Sequence, residues 1–229
     1  MCNVRCATFV LSFRDEEKTK GVYKMPPKVK FTREEIIDGA IELVRESGIE
    51  MLTSRELGNR LGVTARPIFT AFENMNELKN EVFERAKAIY AEYQNGFENY
   101  SPAFKRYGRQ IIHFAQKEPQ LFKLLFMSQG DGNQPSFYDA VSSSDDTGAV
   151  LDVLARDYRL DREKATKLIN LLWVQVYGIS VMIVQGVCYF TEEVISEMLS
   201  TTFIGVITAL KSESAEEYVK SARIEKAKT

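Results

Sequence analysis

Residues 53–72 read TSRELGNRLGVTARPIFTAF. Thr53, with Glu56 three residues on, has the form of a capping box, which predicts a helix starting there. Leu57 and Leu61, one turn apart, give that helix an apolar face. Gly62 predicts its end, since the residue past a helix C-terminus commonly takes positive φ. Val63 comes next as an apolar plug, and Thr64 is the expected cap of a second helix. Pro67 falls in its first turn, where a backbone N–H has no intrahelical partner to lose, although it crowds Arg66. Ile68 and Phe72 should anchor the second helix to a core, leaving Ala65, Arg66, Phe69 and Thr70 outward. A small residue at Gly58 is expected to let the two helices cross closely. Two short helices, a tight turn and a small, polar outer surface make a helix-turn-helix suited to a DNA major groove. An ordinary helical hairpin satisfies the same pattern, so the flanks matter.

Upstream, Thr32-Arg33-Glu34-Glu35 is a second capping box, followed by Ile36, Ile37, Ala40, Ile41, Leu43 and Val44 at helical spacing until Gly48. Downstream, Asn74 is the expected cap of a long helix carrying Leu78, Val82 and Ala86 on one side. The whole run FTREEIIDGAIELVRESGIEMLTSRELGNRLGVTARPIFTAFENMNELKNEVF resembles the tetracycline-repressor (TetR) family of bacterial transcription regulators, strongly over residues 30–90 and more weakly beyond. The resemblance implies an all-α chain: an N-terminal three-helix DNA-binding domain over 25–90, with its motif at 53–72, then a helical effector-binding and dimerisation domain over 91–210. It implies Thr53, Ser54, Arg55, Thr64, Ala65, Arg66, Phe69, Thr70 and Lys79, with Lys28 and Lys30 of a short basic arm, as the DNA-contacting set. Three positions depart from the family pattern: Phe69 replaces the usual Tyr, Ala71 a His or other large polar residue, and Met75 a phosphate-touching Lys. Lys79, one turn on, is expected to substitute in part for that last contact.

Composition bounds this reading. Hydrophobic content of 45% with 27% charged residues is that of a globular protein, and 6 Pro and 13 Gly among long periodic runs suit helices. The net charge of −2 does not advertise nucleic-acid binding. Within residues 28–85 the cations are outnumbered by eleven acids, so attraction to DNA must be local, from Lys28, Lys30, Arg55, Arg66 and Lys79. The acids are expected on the outer faces of the first and fourth helices. Cys2, Cys6 and Cys188 form no disulfide framework, which points to a reducing cytoplasm, with Cys188 expected as a buried thiol. One histidine and scattered cysteines make neither a metal site nor an acid–base pair, so no metal, cofactor or enzymatic activity is expected. Residues 1–24 do not match the rest of the chain; they read as a disordered extension or a start assigned too early, with MPPKVKFTREE from Met25 as the ordinary beginning.

In the C-terminal half, Ser101 followed by Pro102 predicts a helix start with Pro102 at the first helical position. Tyr107, Ile111 and Phe114 share a face, and Glu118-Pro119 breaks that helix before a short apolar one. GDGNQP at 130–135 and SSSDDTG at 142–148 read as loops, and 149–158 as a short helix. Asp161 should cap a long helix to about residue 187, and Thr191 the last, to about Leu210; residues 211–229 read as a frayed tail. Leu168 to Thr191 carries no charge and is long enough to span a membrane. Asn170, Gln175, Ser180 and Gln185 argue instead for burial against a partner, and Ile195, Met198, Leu199, Thr202, Phe203, Val206 and Leu210 for a two-fold interface. Phe104, Tyr107, Phe114, Phe122, Phe126, Met127, Trp173, Tyr177 and Met182 are candidates to line an effector pocket, with Gln110, His113 and Gln175 orienting a ligand; for any one of them taken singly, plain core packing is the better reading.

The sequence thus points to a cytoplasmic homodimer that binds a double-stranded operator and responds to an apolar or amphipathic small molecule, as a repressor. A constitutive DNA-binding regulator without effector, and a membrane-associated helical protein, are the alternatives.

Overall fold

Five side chains cap helices where the sequence places them. Thr32 forms a complete capping box with Glu35, and Thr53 accepts from the Glu56 N–H. Asn74 accepts from the N–H groups of Asn76 and Glu77, Asp161 from Lys164, and Thr191 from Val194. Each satisfies donors that a helix N-terminus would otherwise leave unpaired. The computed structural model describes residues 31–99, 102–127 and 147–212. The expectations for residues 1–24, Lys28 and Lys30, for the 130–135 loop and for the tail past Ser212 lie outside them, as do Cys2 and Cys6.

Among the described residues the body is all-α: α1 (Arg33–Ser47), α2 (Ser54–Leu61), α3 (Arg66–Ala71), α4 (Met75–Gln94), α5 (Ala103–Lys117), α6 (Pro119–Phe126), α7 (Thr147–Tyr158), α8 (Arg162–Val184) and α9 (Glu192–Lys211), with 3₁₀ turns at Ile49–Met51 and Phe97–Asn99. Helices α1 to α3 with the start of α4 enclose Ile36, Ala40, Val44, Leu57, Ile68, Phe72, Leu78 and Val82, all fully or almost fully buried. Helix α1 packs on α2, α4 and α6. Helix α5 is the hub of the second half, packed on α8, α9, α4, α6 and α7.

Several boundaries differ from the sequence reading. Helix α3 begins after Ala65, which has no side-chain cap, so Thr64 lies one residue outside the cap position. Pro102 is the N-cap of α5 rather than its first helical residue, and Ser101 lies outside the described residues. Helix α7 starts at Thr147, shortening the expected loop. Helix α8 stops at Val184, where Gln185 ends it and Gly186 turns with φ +66°. That early stop puts Cys188 in the α8–α9 turn, where it is exposed rather than buried.

Helices α8 and α9 are both long and apolar enough to cross a membrane by length and composition. In this fold they pack on each other and on α5. The side of α9 that turns inward carries Ile195 and Leu199, both buried within the protomer. Phe203 also packs internally, against Phe104 and Tyr158 at ring separations of 5.6 and 4.8 Å. Of the residues expected at a two-fold interface, Ile195 and Leu199 are thus buried within the protomer, while Met198, Thr202, Phe203, Val206 and Leu210 are half-buried. Other apolar side chains stand open on both helices: Val194 and Ile204 on α9, Leu171 and Val174 on α8, with Leu171 56%, Val174 54% and Ile204 61% exposed.

Candidate nucleic-acid interface and internal cavity

The turn of the helix-turn-helix is built from two backbone bonds. Gly62, at φ +68°, donates to the Asn59 carbonyl at 3.2 Å, and Val63 donates to the Gly58 carbonyl at 2.9 Å. This is the Schellman arrangement that ends a helix in a left-handed residue. Gly58 is required by the turn itself: a Cβ there would lie 2.8 Å from the Val63 carbonyl oxygen. The expected close crossing of helices is thus a close approach of α2 to the turn backbone.

Helix α3 has six residues, too few to hold itself. Ile68, fully buried, pins its inner side. Its C-terminal end is held from α1: Arg33 donates to the Ala71 carbonyl at 2.7 Å and its guanidinium lies 4.2 Å over the Phe72 ring. The same guanidinium pairs with Glu77 and Glu81 of α4 at 2.8 and 2.7 Å, bonds that hold Arg33 firmly charged. From the sequence, Arg33 reads only as a member of a capping box; its role as a clamp depends on a partner more than thirty residues away. Outward from α3 stand Arg66, Thr70 and Phe69, the last 49% exposed. The Thr70 hydroxyl donates to the Arg66 carbonyl at 2.9 Å. Ala65 and Lys79 are half-buried, Ser54 is half-buried, and Thr53, Arg55 and Thr64 are exposed.

The acids of α1 and α4 are less a solvated coat than a set of partners. Arg85 pairs with Glu34 and Asp38, Arg60 with Glu46 at 2.6 Å, and Lys87 with Glu84 at 3.2 Å. Arg45 pairs with Glu42 and, through two bonds of 2.9 Å, with Glu118. The Arg60 guanidinium holds the Glu46 carboxyl below its usual range, and the Glu73 N–H and then Arg33 do the same for Glu77. Three cations of α1 to α4 remain without an acid partner among the described residues: Arg55 on α2, Arg66 on α3 and Lys79 on α4.

The second half contains a cavity of about 280 Å³ between α5, α7, α8 and α9. Its walls are apolar, with Phe104, Tyr107, Tyr158, Trp173 and Phe203 supplying rings and Lys105 and Ser200 at the polar end. Burial pushes the Tyr158 phenol up, so that wall stays uncharged. Of the residues expected to line or orient in a ligand pocket, Phe104, Tyr107 and Trp173 stand here. Phe114 and Phe126 do not; they belong to an aromatic cluster with Tyr90, Tyr93 and Phe122 between α4, α5 and α6, with centroids 4.9 to 6.4 Å apart. Gln175 is committed to the Met198 carbonyl and the Thr202 hydroxyl, at 3.1 and 2.8 Å. His113 is exposed beside Tyr93, and with Gln110 it borders a separate recess of about 140 Å³. Tyr177 stacks on Trp173 at 4.9 Å and 8°, and its hydroxyl donates to the Phe126 carbonyl at 3.0 Å. The cavity set shares its residue types with the core set, so composition could not separate them. Lys105, followed by Arg106 in the same turn, had no signal that marked it out.

A family model described as "Bacterial regulatory proteins, tetR family" matches residues 36–82, across α1 to α4. A second, "Tetracyclin repressor-like, C-terminal domain", matches residues 104–202. The chain belongs to the TetR family. A solved structure of a TetR family protein from Vibrio parahaemolyticus aligns with a TM-score of 0.52 at 19% identity, covering 75% of this chain and 96% of that one. At that identity the likeness concerns the fold. No curated protein matches. As a TetR-family member the chain is a DNA-binding transcription regulator and not an enzyme, and the family's architecture implies operator binding by a homodimer.

Proposed function

We propose that this TetR-family regulator is a cytoplasmic, ligand-responsive repressor, with α3 of each protomer in one major-groove half-site. The observation that carries the DNA side is the distribution of unpaired cations. Arg33, Arg45, Arg60, Arg85 and Lys87 are neutralised by acids, whereas Arg55, Arg66 and Lys79 are left for phosphate or base. Arg66 opens the recognition helix and is the residue placed to read a base edge, with Thr70 beside it; Thr53, Arg55, Thr64 and Lys79 are assigned to backbone phosphate. The open side chains of Leu171, Val174, Val194 and Ile204 are assigned to the partner protomer, which would account for both long apolar helices without a membrane.

Responsiveness rests on a continuous set of contacts from cavity to DNA-binding helices. Trp173 borders the cavity and stacks on Tyr177. Tyr177 holds the end of α6 through the Phe126 carbonyl. Glu118, at the start of α6, grips Arg45 of α1 through two bonds. A ligand that moves Trp173 thus acts on a short helix clamped at both ends, one of them on the DNA-binding domain. Linkage requires that the ligand bind the free dimer more tightly than the DNA-bound dimer. Selection from a random DNA pool tests the first half of this reading: a two-fold symmetric site with half-sites one helical turn, or a multiple, apart is the expected product. A single asymmetric site would refute the docking. Ligand titration with and without that operator tests the second half, and equal affinities would leave a constitutive regulator.

A further inference from the structure

Among the described residues, the cation that borders the cavity has no acid. Lys105, half-buried on the first turn of α5, donates to the Ser196 hydroxyl at 2.7 Å, but no carboxylate of the described residues lies within ion-pair distance of it. On the same helix Arg109, one turn on, does have an acid: it pairs with Glu192 at 2.5 Å. An ammonium carries three donors, and one is used here. Leaving a partly desolvated charge without a counterion is unfavourable unless something else supplies one. The first turn of α5 carries no acidic residue to do so.

We propose that the effector is a compact amphipathic monoanion, a carboxylate joined to an aryl or medium-chain alkyl body, with its head group on Lys105 and its body among Phe104, Tyr158, Trp173 and Phe203. This rests on the reading of the cavity as the effector site. The apolar walls favour the body, and a volume at the small end for ligand sites sets its size. The ammonium distinguishes the acid from a neutral analogue of the same shape. Ser200, which also borders the cavity, stands four residues along α9 from the Ser196 that holds Lys105, so the polar groups gather at one end.

Trp173 is the only tryptophan in the chain, so its fluorescence reports the cavity without ambiguity. Two matched pairs serve as probes on the full-length dimer: 4-phenylbutyrate with 4-phenylbutan-1-ol, and decanoate with 1-decanol. Within each pair the acid should bind about tenfold or more tightly than the alcohol, the margin of a charge-assisted hydrogen bond. Lys105→Gln should erase that margin by weakening the acid, and Lys105→Arg should largely keep it, which also shows that position 105 tolerates change. Acid and alcohol binding equally to the native protein would overturn the proposal while leaving the effector cavity in place. A preference that survives Lys105→Gln would also overturn it, by placing the anion elsewhere. If neither member of either pair binds, the cavity reading falls with it.

Discussion

The two halves of this chain handle charge in opposite ways. In α1 to α4 five of the eight cations are locked to an acid on another turn or another helix, and the apolar residues close completely around Ile68 and Leu57. From Leu168 to Thr191 charge is absent, the core beside α8 and α9 is left with a cavity, and apolar side chains stand open on both helices. The difference separates two kinds of binding surface. A DNA-binding face is made by removing competing charges around a few that are left free. A protein-binding face, and a pocket, are made by leaving apolar surface unfinished.

Breaking the contrast at the unfinished surface should give the largest effect. The double variant Leu171→Asp/Ile204→Asp puts charge into the surface assigned to the partner, and analytical ultracentrifugation should show a monomer at micromolar concentration. A dimer unchanged in mass would place the interface elsewhere. In the closed half, Ile68→Ala removes a fully buried side chain beneath the recognition helix and should cost about 2–5 kcal/mol in urea unfolding. An effect below about 1 kcal/mol would mean that α3 is not held by its core contact. Arg66→Ala should cost about 1–3 kcal/mol in operator affinity and relax sequence preference, where Lys79→Ala weakens all sequences alike. Retained preference in the Arg66 variant would move base readout to another residue. Gly62→Ala fills open space but must adopt φ +68°, so a loss of about 1–2 kcal/mol is expected from backbone strain alone.

The smallest effect is on pH. Glu35, held by the Thr32 N–H and hydroxyl, Glu46, held by Arg60, and Glu77, held by the Glu73 N–H and Arg33, all titrate below the ordinary carboxylate range. A depressed folded-state pKa contributes stability above the unfolded value, near 4.5, that is lost as pH falls through the folded one. These groups are solvent-exposed, so the thermal midpoint should decline only gently below that point, and Glu77→Gln should make the decline shallower. A midpoint rising on acidification would contradict the sign.

How much of the fold was legible in the sequence depends on the reach of each signal. Caps at Thr32, Thr53, Asn74, Asp161 and Thr191 depend on residues two or three positions away, and all five cap their helices, Thr53 through its own side chain and not as the full box read with Glu56. Thr64 does not, because Pro67 fixes the first turn and Ala65 takes the cap position. The clamp of Arg33 on Ala71 and Phe72, and the grip of Arg45 on Glu118, join residues far apart in the chain and leave no periodic trace. Phe114 and Phe126 could not be told from Tyr107 and Trp173, since an aromatic that fills a core and one that borders a cavity obey the same helical spacing. Which side of α9 faces inward was hidden for the same reason.

The way α3 is held bears on how such a regulator can change. Its position comes from Ile68 beneath and Arg33 behind, while Arg66, Phe69 and Thr70 carry no part of that support. Address and anchorage are therefore written in different letters of the same short helix. A new operator preference is then expected from rewriting the outer letters alone, with Ile68 and Arg33 still holding the helix in its place.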